Sequence, residues 1–500
     1  MERAERIDVA ALFARHPFVH EILARLEASG FAAVLIGGVV RDGLLASWGQ
    51  TIAYPPGDVD VATAAMPDDL RRLFADRPMV GVGEEFGVVV IVAPDGRAYE
   101  VATFRVEGEY DGRWPGRVEL GRDLAGDVCR RDLTMNGLAA TAEGHVIDLV
   151  GGVADLRARL VKAIGDPAER FKEDALRLLR TVRFVCQIDG TLDPETERAA
   201  RDASAGLSRI SRERVRDELL RILATPRAAT GVELLDDLGL LEHVLPEVLA
   251  GKGVEQPEAY HPEGDVFLHT VAAVRVADAF VRDPIVKLAV LLHDVGKPAA
   301  FVRSGGANMG GHCALGAAMA RRAAERLRLR RTEIARLSFL VKNHMRIADL
   351  PEMGRGRQVR FLSEGVEPGG RLFIGRYPLF SDLLALLVAD CEASAHRASG
   401  WAPILSEALR IALHVETVGT LQRARQIIHG GDLLALGVPA GPRLGALLDA
   451  LHDRVLAGEL ADRDAALQEA RRLAALDCER TFAGPRRDRR PGDPNAAPLR

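Results

Sequence analysis

A change in residue pattern near position 155 constrains the fold of this 500-residue chain more than any other feature. Before it, residues 31–150 alternate short valine-rich segments with helical stretches, and after it the apolar periodicity is helical almost throughout. Aromatic residues make up only 5% of the chain, so its cores must be built from Ala, Leu and Val, which favours helices. The sequence therefore predicts an α+β fold, with a small mixed sheet first and a mostly helical body behind it.

The N-terminal part contains short strand-like segments separated by helical stretches and turns. Residues 1–30 are predicted to form an amphipathic helix pair that leads into the first strand. A Pro-Asp-Gly turn at Pro94–Gly96 separates two of the strands. The predicted strands are Ala33–Gly37, Val59–Ala62, Gly87–Ala93 and Tyr99–Phe104, followed by a hairpin over Leu138–Leu149.

Charge and cysteine content limit the class of protein. The formal net charge is −5, so any RNA-binding face must be a local one. The five cysteines are scattered and form no CxxC pair, which favours a reducing cytoplasm over a disulfide framework or a zinc ribbon. The first residues form no signal peptide, and no apolar run is long enough to span a bilayer. We therefore expect a cytoplasmic protein with no membrane partner, and the sequence leaves its oligomeric state open.

The segment Gly37–Asp42, GGVVRD, follows a predicted strand and opens a predicted helix. A glycine pair lets backbone amides approach a triphosphate, and a helix N-terminus favours phosphate. Taken alone, the same segment is also typical of a strand-to-helix turn that binds nothing.

Three carboxylates follow on predicted strands. Asp58 and Asp60, in GDVDVAT, are two residues apart, so on one strand they share a face. Adjacent like charges are destabilising unless a cation neutralises them, and carboxylate oxygens suit Mg²⁺. Glu100 lies in the apolar string AYEVATF, where it is either a third metal ligand or the solvent-facing residue of an alternating strand. For an isolated DxD motif, an exposed polar strand edge is the simpler interpretation.

The order of the motifs favours a metal site over an exposed polar strand edge. GGVVRD, GDVDVAT and the strand with Glu100 are followed by CRRDLTMNGLA at 129–139, by residues 161–184 and by SRERVRDELLRIL at 211–223. This set resembles the nucleotidyltransferase head of the polymerase β superfamily. More narrowly, it resembles the class II CCA-adding enzymes and the related bacterial poly(A) polymerases, over about residues 30 to 225.

The resemblance implies roles for these residues. Asp58 and Asp60 would bind the catalytic Mg²⁺ ions, with Glu100 as a further metal ligand. Leu133 and Gly137 depart from the usual Phe and Ala of the family's RRDFTxNA motif, which affects packing more than chemistry. The nucleotide-binding residues implied are Gly37, Gly38, Arg41, Arg130, Arg131, Asp132, Asn136, Asp174, Arg177, Arg180 and Arg183.

Asp174 and Arg177 match the family's EDxxR motif, whose side chains replace a nucleic-acid template. We expect them to lie three apart on one helix and to share a face. Asp accepts from the exocyclic amine of cytosine or adenine, and Arg donates to the ring nitrogen, whereas uracil and guanine reverse that order. The alternative is a surface ion pair. Arginines on the same helix, with others at 209–221, form local basic patches for RNA phosphates or a solvated helix face.

A second constellation of histidines and carboxylates lies at 261–396. The pair His293-Asp294 ends an apolar helix and precedes Gly-Lys, and His269 lies in another apolar helix. Neutral imidazoles and carboxylates from facing helices can hold a transition metal and its activated water. The further members of the constellation are His261, His312, His344 and Asp390.

These residues resemble the HD-domain metal phosphohydrolases, and some bacterial CCA-adding enzymes carry such a domain. By that resemblance the metal ligands are His269, His293, Asp294 and Asp390. His312 and His344 would help to bind phosphate or a second metal, and Lys297 would contact phosphate. Residues 393–398 depart from the family's ADARGR segment. The alternative is an HD fold kept as a scaffold without turnover.

The resemblance thus implies a tRNA nucleotidyltransferase that adds CCA from CTP and ATP. The segment Phe104–Arg122 resembles the flexible loop of complete CCA-adding enzymes and favours full CCA addition over an ordinary charged surface loop. A poly(A) polymerase or a partial CC- or A-adding enzyme shares the motifs, and an HD phosphohydrolase with an RNA-binding head is an alternative of another class. The predicted domains are a head at 1–154, a helical neck and nucleotide-recognition domain at 155–250, an HD domain at 262–400, a C-terminal helical tRNA-binding region at 401–480 and a disordered tail at 484–500.

Overall fold

A computed structural model describes most of the chain, in two compact units. One unit contains Met1–His344 and Val388–Ser399, and the other contains Met345–Leu387 and Gly400–Arg500. The predicted tail at 484–500 and much of the predicted flexible loop lie outside the described residues. The described residues are all except 1–4, 51–57, 81–86, 108–109, 112–113, 116–117, 122, 257–260, 363–377, 395–399, 419–420 and 483–500.

A seven-stranded mixed sheet forms the centre of the N-terminal region, as predicted. Its strands are β1 (Ala33–Ile36), β2 (Asp60–Thr63), β3 (Met79–Val80), β4 (Val88–Val92), β5 (Ala98–Thr103), β10 (Ala139–Ala140) and β11 (Val146–Ile147). The strand order is β11-β10-β1-β2-β5-β4-β3. Strands β2 and β5 are parallel, whereas the other neighbours are antiparallel. The short strands outside it are β6 (Arg105–Glu107), β7 (Tyr110–Asp111), β8 (Trp114–Pro115), β9 (Val118–Leu120), β12 (Leu160–Val161) and β13 (Thr191–Leu192).

The predicted N-terminal helix pair is α1 (Val9–Arg15) and α2 (Pro17–Ala28). Pro17 occupies the first turn of α2, where its fixed φ and missing N–H are tolerated. The apolar residues of α2 recur at helical spacing and are buried in one core with alternate residues of β4 and β5. These buried residues are Phe18, Val19, Ile22, Leu23 and Leu26 of α2, and Val89, Ile91, Tyr99 and Val101 of the strands.

The predicted helical body is confirmed, apart from the two-residue strands β12 and β13. Within the described residues of the first unit, 3₁₀ helices at Thr134–Asn136 and Ser204–Arg209 accompany the α-helices. The remaining α-helices are α3 (Gly38–Ser47), α4 (Pro67–Leu73), α5 (Leu124–Cys129), α6 (Gly152–Arg157), α7 (Pro167–Glu173), α8 (Leu176–Ile188), α9 (Pro194–Asp202), α10 (Arg212–Leu223), α11 (Ala228–Asp237), α12 (Leu241–Val244), α13 (Pro246–Leu249), α14 (Val266–Ala277), α15 (Pro284–Leu292), α16 (Lys297–Arg303), α17 (His312–Arg326) and α18 (Arg331–Asn343).

The second unit is helical in its described residues. A 3₁₀ helix at Arg346–Glu352 precedes α19 (Arg355–Leu362), which packs closely against the helix Pro442–Leu456 because Gly356 has no side chain there. Arg360 of α19 binds Asp449 and Asp453 of that helix. No described helix of the chain is long and apolar enough to cross a membrane. The other helices are Pro378–Ala393, which begins in this unit, Ala402–Val418, Leu421–Ile427, Gly430–Ala435 and Arg463–Phe482.

Candidate functional site

The three predicted carboxylates lie together where β2 and β5 run side by side. Val61 of β2 pairs with Val101 of β5 in parallel register, so Asp60 and Glu100 occupy the positions just before the paired residues. Both Glu100 and Asp58 raise the pKa of Asp60, as close negative charges do. The structure therefore brings the carboxylates predicted to bind metal to one place.

Asp58 and Asp60 do not share a strand, however, and that expectation is wrong. Asp60 is the first residue of β2 and pairs with Ile36, the last residue of β1. At Gly37 the chain leaves the sheet with φ of 79° and enters α3, so β1 offers no partner residue for Asp58. Asp58 lies exposed in the preceding loop, and Asp60 is half-buried.

The Asp60 carboxylate is poorly solvated and is repelled by Asp58 and Glu100. Burial raises the pKa of the Asp60 carboxyl to about 6, Arg131 opposes this, and Glu100 and Asp58 raise it further. A divalent cation is the group that relieves such repulsion, and hard carboxylate oxygens are the ligands that Mg²⁺ prefers. The residues present therefore fit a magnesium site.

This raised pKa predicts that Asp60 stabilises the metal-free fold less than asparagine would. The folded state binds the proton more tightly than the unfolded state, so stability is lost as pH rises from about 4 and the loss is complete above about pH 6. We expect Asp60→Asn to raise the free energy of unfolding by about 1–3 kcal/mol at pH 8 and by almost nothing at pH 4. Urea titrations at both pH values in chelator measure this. An equal increase in the free energy of unfolding at the two pH values would contradict the raised pKa of Asp60. Added Mg²⁺ should reduce the difference in stability between Asp60→Asn and the unsubstituted chain at pH 8.

The glycine pair of GGVVRD stands directly beside the carboxylates. Gly37 caps α3 with its positive φ, and its N–H donates to Leu138 O at 2.9 Å. A Cβ at Gly37 would lie 3.3 Å from Nη1 of Arg131 and 3.9 Å from Oδ2 of Asp60. Only glycine fits this backbone conformation and this space without strain. The N-terminus of α3, at Gly38, thus opens onto the same place as the carboxylates and an arginine.

Two arginines of the RRD motif are held by a carboxylate that the sequence analysis did not single out. Asp127 of α5 is 1% exposed and accepts from Nε and Nη2 of Arg130 at 2.9 and 2.8 Å. Its other oxygen accepts from Nη2 of Arg131 at 3.1 Å. The i, i+3 and i, i+4 spacing in front of the two arginines is the signal that identifies this residue. Asp127 therefore fixes the directions in which both guanidinium groups point.

A buried hydrogen-bond network joins the remaining motif residues. Asp132 accepts from Nε of Arg180 at 2.7 Å and from Nδ2 of Asn136 at 3.0 Å. Nη1 of Arg41 donates to Oδ1 of Asn136 at 2.8 Å, and its Nε donates to Asp42. Burial opposes ionisation of Asp132, but Arg180 and the Asn136 amide hold its pKa below the ordinary value. Arg41 is 4% exposed, so it positions Asn136 rather than facing solvent.

The helix α8 supplies Arg180 of this network, and also Arg183 and the ring of Phe184. Phe184 lies under the guanidinium groups of Arg41 and Arg183, at 4.9 and 4.1 Å from its ring centroid. Nε of Arg183 donates to Oε2 of Glu218 on α10 at 2.7 Å, and both residues are more than 90% buried. Arg183 is therefore an internal brace between two helices and not part of an exposed basic patch.

The two residues of the predicted EDxxR motif are near each other but not on one helix. Asp174 follows the last residue of α7 with φ of −147°, an extended conformation, whereas Arg177 lies in the first turn of α8. The expectation of a shared helical face is wrong because the chain bends here, and Asp174 Oδ1 accepts from the N–H of Leu176 at the start of α8. Asp174 binds both terminal nitrogens of Arg214 at 3.2 and 2.6 Å. Arg177 binds Glu173 and donates to the carbonyl oxygen of Arg130.

The second constellation forms a compact cluster around Asp294, here called the histidine cluster: His269, His293, Asp294, His312, His344 and Asp390. Its members come from five helices or helix ends that meet in the first unit. His269 lies on α14, His293 and Asp294 follow α15, and His312 is the first residue of α17. His344 follows α18, and Asp390 lies on the helix Pro378–Ala393.

Hydrogen bonds fix the orientation of all four imidazoles. Each Nδ1 faces an oxygen acceptor, so a neutral imidazole would carry its proton there and present the lone pair of Nε2. The acceptors are Val290 O for His293 at 2.7 Å, Met309 O for His312 at 3.0 Å, Val341 O for His344 at 2.8 Å and Glu263 Oε1 for His269 at 2.6 Å. Glu263, which also binds His261, was not identified from the sequence.

The Nε2 atoms point at carboxylate oxygens in the centre of the cluster. Nε2 of His293 lies 3.1 Å from Oδ2 of Asp294, and Nε2 of His269 lies 3.2 Å from Oδ1 of Asp390. Nζ of Lys297 lies 2.6 Å from the same Oδ2 of Asp294, rather than facing solvent. Among the described residues, Nε2 of His269, Nε2 of His293 and Oδ1 of Asp294 are buried without a hydrogen-bond partner.

Buried polar atoms without partners are costly, and imidazole nitrogens with carboxylates are typical transition-metal ligands. The residues of the histidine cluster therefore fit a metal ion. Asp390 is brought into the cluster although the chain departs from the family pattern after it, and residues 395–398 of that pattern lie outside the described residues.

Comparisons with known proteins agree with the geometry of the head. Residues 33–162 match the family described as the poly A polymerase head domain, and residues 191–251 match the probable RNA and SrmB- binding site of polymerase A. The CCA-adding enzyme of Geobacillus sp. (strain WCH70) is 43% identical over 220 residues, which are 44% of this chain and 52% of that protein. The enzyme of Geobacillus stearothermophilus is 41% identical over 232 residues, 46% of this chain and 54% of that protein. The chain thus spans about half the length of the curated relatives it matches.

Solved structures extend the similarity in fold. The Bacillus stearothermophilus CCA-adding enzyme in complex with CTP superposes with a TM-score of 0.64 and 28% identity, over 92% of this chain and 98% of that one. The Thermotoga maritima CCA-adding enzyme complexed with tRNA, at 19% identity and a TM-score of 0.56 over 94% of this chain and 97% of that one, shows the shared fold. Residues 33–162 and 191–251 are therefore similar to the head domain and the probable RNA-binding site of the poly A polymerase family, and the chain is similar to the CCA-adding enzymes over about half of their length.

Proposed function

We propose that this chain is a tRNA nucleotidyltransferase that adds C, C and A to the 3′ end of tRNA from CTP and ATP. The observation that carries the proposal is the convergence of Asp58, Asp60 and Glu100 beside the glycine-capped start of α3 and Arg131. The sequence similarity to CCA-adding enzymes supports the same assignment, as does the shared fold with one that was solved with CTP. The scattered cysteines favour a cytoplasmic location.

In this proposal, the 3′-hydroxyl oxygen of tRNA attacks the α-phosphorus and its proton passes to water, while the bond to the bridging oxygen breaks and pyrophosphate leaves. Asp58 and Asp60, with Glu100 beside them, would hold Mg²⁺, which neutralises the triphosphate and stabilises both the entering and the leaving oxygen. The backbone amides of Gly37 and Gly38 bind phosphate oxygens at the positive end of α3.

The RRD motif positions the rest of the nucleotide. Arg130 and Arg131, whose directions are fixed by Asp127, bind phosphate oxygens. Asp132 and Asn136 form the ribose side of the pocket. Arg180 holds Asp132, and Arg41 holds Asn136.

Base choice is assigned to Asp174 and Arg177. Cytosine and adenine each present an amine beside a ring-nitrogen acceptor, which complements a carboxylate next to a guanidinium. In the structure, Arg214 binds both oxygens of Asp174, and Glu173 binds Arg177. Binding of a base therefore requires Asp174 to share or exchange its contact with Arg214.

Incorporation into a tRNA that lacks its 3′ CCA tests the proposal. Labelled CTP, ATP, UTP and GTP are each supplied alone, and then CTP is supplied with ATP. We expect addition of C from CTP alone, three nucleotides from the pair, and no use of UTP or GTP. A long tail from ATP alone would instead assign a poly(A) polymerase, and a halt after CC, or A added only to a tRNA that already ends in CC, would assign a partial enzyme.

A second activity is proposed for the histidine cluster, that of a metal phosphohydrolase. The specific support is the set of buried Nε2 and Oδ1 atoms that lack hydrogen-bond partners in the described chain. A metal held there by His269, His293, Asp294 and Asp390 would activate water, and Lys297, whose Nζ binds Asp294 in the structure, would contact a phosphate.

Removal of a ligand should therefore remove the metal from the cluster. We expect chelation to lower the melting temperature of the chain, and a divalent transition metal to restore it, because binding only to the folded state stabilises by about 2.7 kcal/mol at a concentration 100 times Kd. His293→Ala should abolish this response and leave tRNA extension unchanged. A melting temperature that changes with neither chelator nor metal would refute metal binding at the histidine cluster without affecting the proposed CCA addition.

A further inference from the structure

A carboxylate outside the histidine cluster binds one of its imidazoles from behind. Glu263 lies in the loop before α14, six residues before His269, and its Oε1 accepts from Nδ1 of His269 at 2.6 Å. The side chain of His269 is fully buried, and its Nε2 lies 3.2 Å from Oδ1 of Asp390. The ring of His269 therefore stands between a carboxylate on its Nδ1 side and the centre of the cluster on its Nε2 side.

The two residues that follow Glu263 fix the loop that brings it to His269. Gly264 has φ of 122°, a backbone conformation that glycine adopts without strain. Asp265 caps α14, because its side chain accepts from the N–H of Leu268 at 2.8 Å. The cap anchors the loop to the helix, and Glu263 is thereby held against the first turn of α14.

Two further side chains contact Glu263 in the same place. Nδ1 of His261 lies 2.9 Å from the same Oε1, and the rings of His261 and His269 meet edge to face with their centroids 4.7 Å apart. Oγ of Ser394, a fully buried residue, lies 3.4 Å from Oε1. Ser394 directly follows the helix that contains Asp390, so the same segment supports Glu263 and faces Nε2 of His269.

These distances identify hydrogen bonds rather than a metal site among Glu263, His261 and His269. With metal–nitrogen and metal–oxygen bonds of about 2.0–2.2 Å, two ligand atoms of a tetrahedral ion lie about 3.3–3.6 Å apart. Oε1 of Glu263 lies only 2.6 and 2.9 Å from the two Nδ1 atoms, which is typical of hydrogen bonds to a carboxylate. A neutral His269 would therefore donate from Nδ1 and present Nε2 to the cluster.

Glu263 gives His269 an acceptor that the other three imidazoles of the cluster lack. Those three face neutral backbone carbonyls, at His293, His312 and His344. His269 instead faces a carboxylate, which is ionised at neutral pH. A negative charge beside one ring nitrogen fixes the orientation of the ring and makes the other nitrogen a stronger donor to a metal. The bond from His269 to a metal should therefore depend on Glu263.

We infer that Glu263 is a positioning residue for the metal of the histidine cluster. It directs Nε2 of His269 towards the ion and strengthens that bond, and His261 holds Glu263 in place. Neither Glu263 nor His261 is itself a metal ligand in this assignment. The inference rests on the metal binding proposed above for the histidine cluster, and it is independent of CCA addition.

The affinity of the full chain for Co²⁺ tests the inference. The protein is treated with a chelator, Mg²⁺ is added in excess, and Co²⁺ binding is measured by titration calorimetry. The binding that His293→Ala removes is assigned to the histidine cluster. We expect Glu263→Ala to weaken this binding by about 10–100-fold without changing the number of ions bound. Glu263→Gln, which keeps an oxygen acceptor but removes the charge, should weaken it less.

Three comparisons separate positioning from a merely structural role. Glu242 is an exposed carboxylate that lies 3.2 Å from Nε2 of His243, so Glu242→Ala should leave the Co²⁺ affinity within about twofold. His261→Ala should weaken Co²⁺ binding less than Glu263→Ala does. Combined with Glu263→Ala, it should cost nothing more, because both residues act through one contact. A structural defect would lower the melting temperature in chelator, whereas loss of positioning lowers the increase that Co²⁺ produces.

The outcomes distinguish the positioning role from the proposed metal site. If Glu263→Ala bound Co²⁺ within about twofold of the unsubstituted chain, the positioning role would be overturned and the metal site would stand. Loss of a bound ion from Glu263→Ala, rather than weaker binding, would overturn the inference by making Glu263 a ligand. Absence of Co²⁺ binding by the unsubstituted chain would overturn both. Nucleotide incorporation into tRNA is expected to be unchanged in every variant.

Discussion

Replacement of both Asp58 and Asp60 with alanine is expected to lower nucleotide incorporation by at least about 10³-fold, because metal stabilisation of the entering and leaving oxygens contributes several kcal/mol. The burial of Asp60 and the charges of Glu100 and Asp58 around it show that these carboxylates are arranged at a cost to the metal-free fold. Incorporation of the first C into a tRNA lacking CCA, under single-turnover conditions, measures the effect.

A matched control separates loss of chemistry from loss of charge. Asp68 is an exposed carboxylate on α4 that pairs with Arg71 of the same helix. We expect Asp68→Ala to leave the rate within about twofold, since an exposed ion pair contributes about 0–1 kcal/mol. Affinity for tRNA, measured by gel shift without nucleotide, should be unchanged in both variants. An Asp58→Ala, Asp60→Ala double variant with a normal rate would rule out these residues as the metal ligands of the reaction.

Glu218→Ala is expected to lower the free energy of unfolding by about 3–5 kcal/mol, because it leaves the guanidinium of Arg183 buried without its carboxylate. Arg183 stays charged at any accessible pH, so it cannot escape the cost by losing a proton. Urea unfolding followed by circular dichroism measures the difference. We expect nucleotide incorporation to fall as well, because the Phe184 ring packs against Arg183, which the ion pair with Glu218 holds in place, and also against Arg41.

The pair Arg201–Glu197 on α9 provides the comparison. Its side chains are 55% and 42% exposed, and they are spaced i, i+4. Glu197→Ala should cost no more than about 0.5 kcal/mol. If Glu218→Ala cost as little as Glu197→Ala, the Arg183–Glu218 pair would not be the brace described here.

The sequence predicts the backbone of the head and the approximate place of its site because local patterns determine both. Valine-rich alternation marks β4 and β5, and the glycine pair marks the turn from β1 into α3. The order of the motifs then predicts that Asp60 and Glu100 lie close together, and the register of β2 and β5 places them on adjacent strands. These features depend on residues close in sequence or on a recognised order of motifs.

Features that depend on tertiary contacts could not be predicted in this way. Asp58 precedes β2 because β1 ends at Ile36, which pairs with Asp60. The bend after α7 separates Asp174 from α8, the helix that contains Arg177. A charged residue also looks the same in sequence whether it is exposed or buried, so the sequence leaves a basic patch and a solvated helix face open for Arg183, whereas Glu218, 35 residues away, binds it internally. Asp127 and Glu263 were missed because they act through other residues, by orienting arginines and a histidine.

The 3′ sequence of the extended tRNA tests the central claim most directly. A tRNA that lacks CCA is incubated with the full chain, Mg²⁺ and all four nucleoside triphosphates together, and the ends of individual product molecules are sequenced. The account predicts that most molecules end in CCA and that extension stops there even when nucleotides remain in excess. Products with long A-tails, with mixed nucleotides or with no extension at all would contradict it.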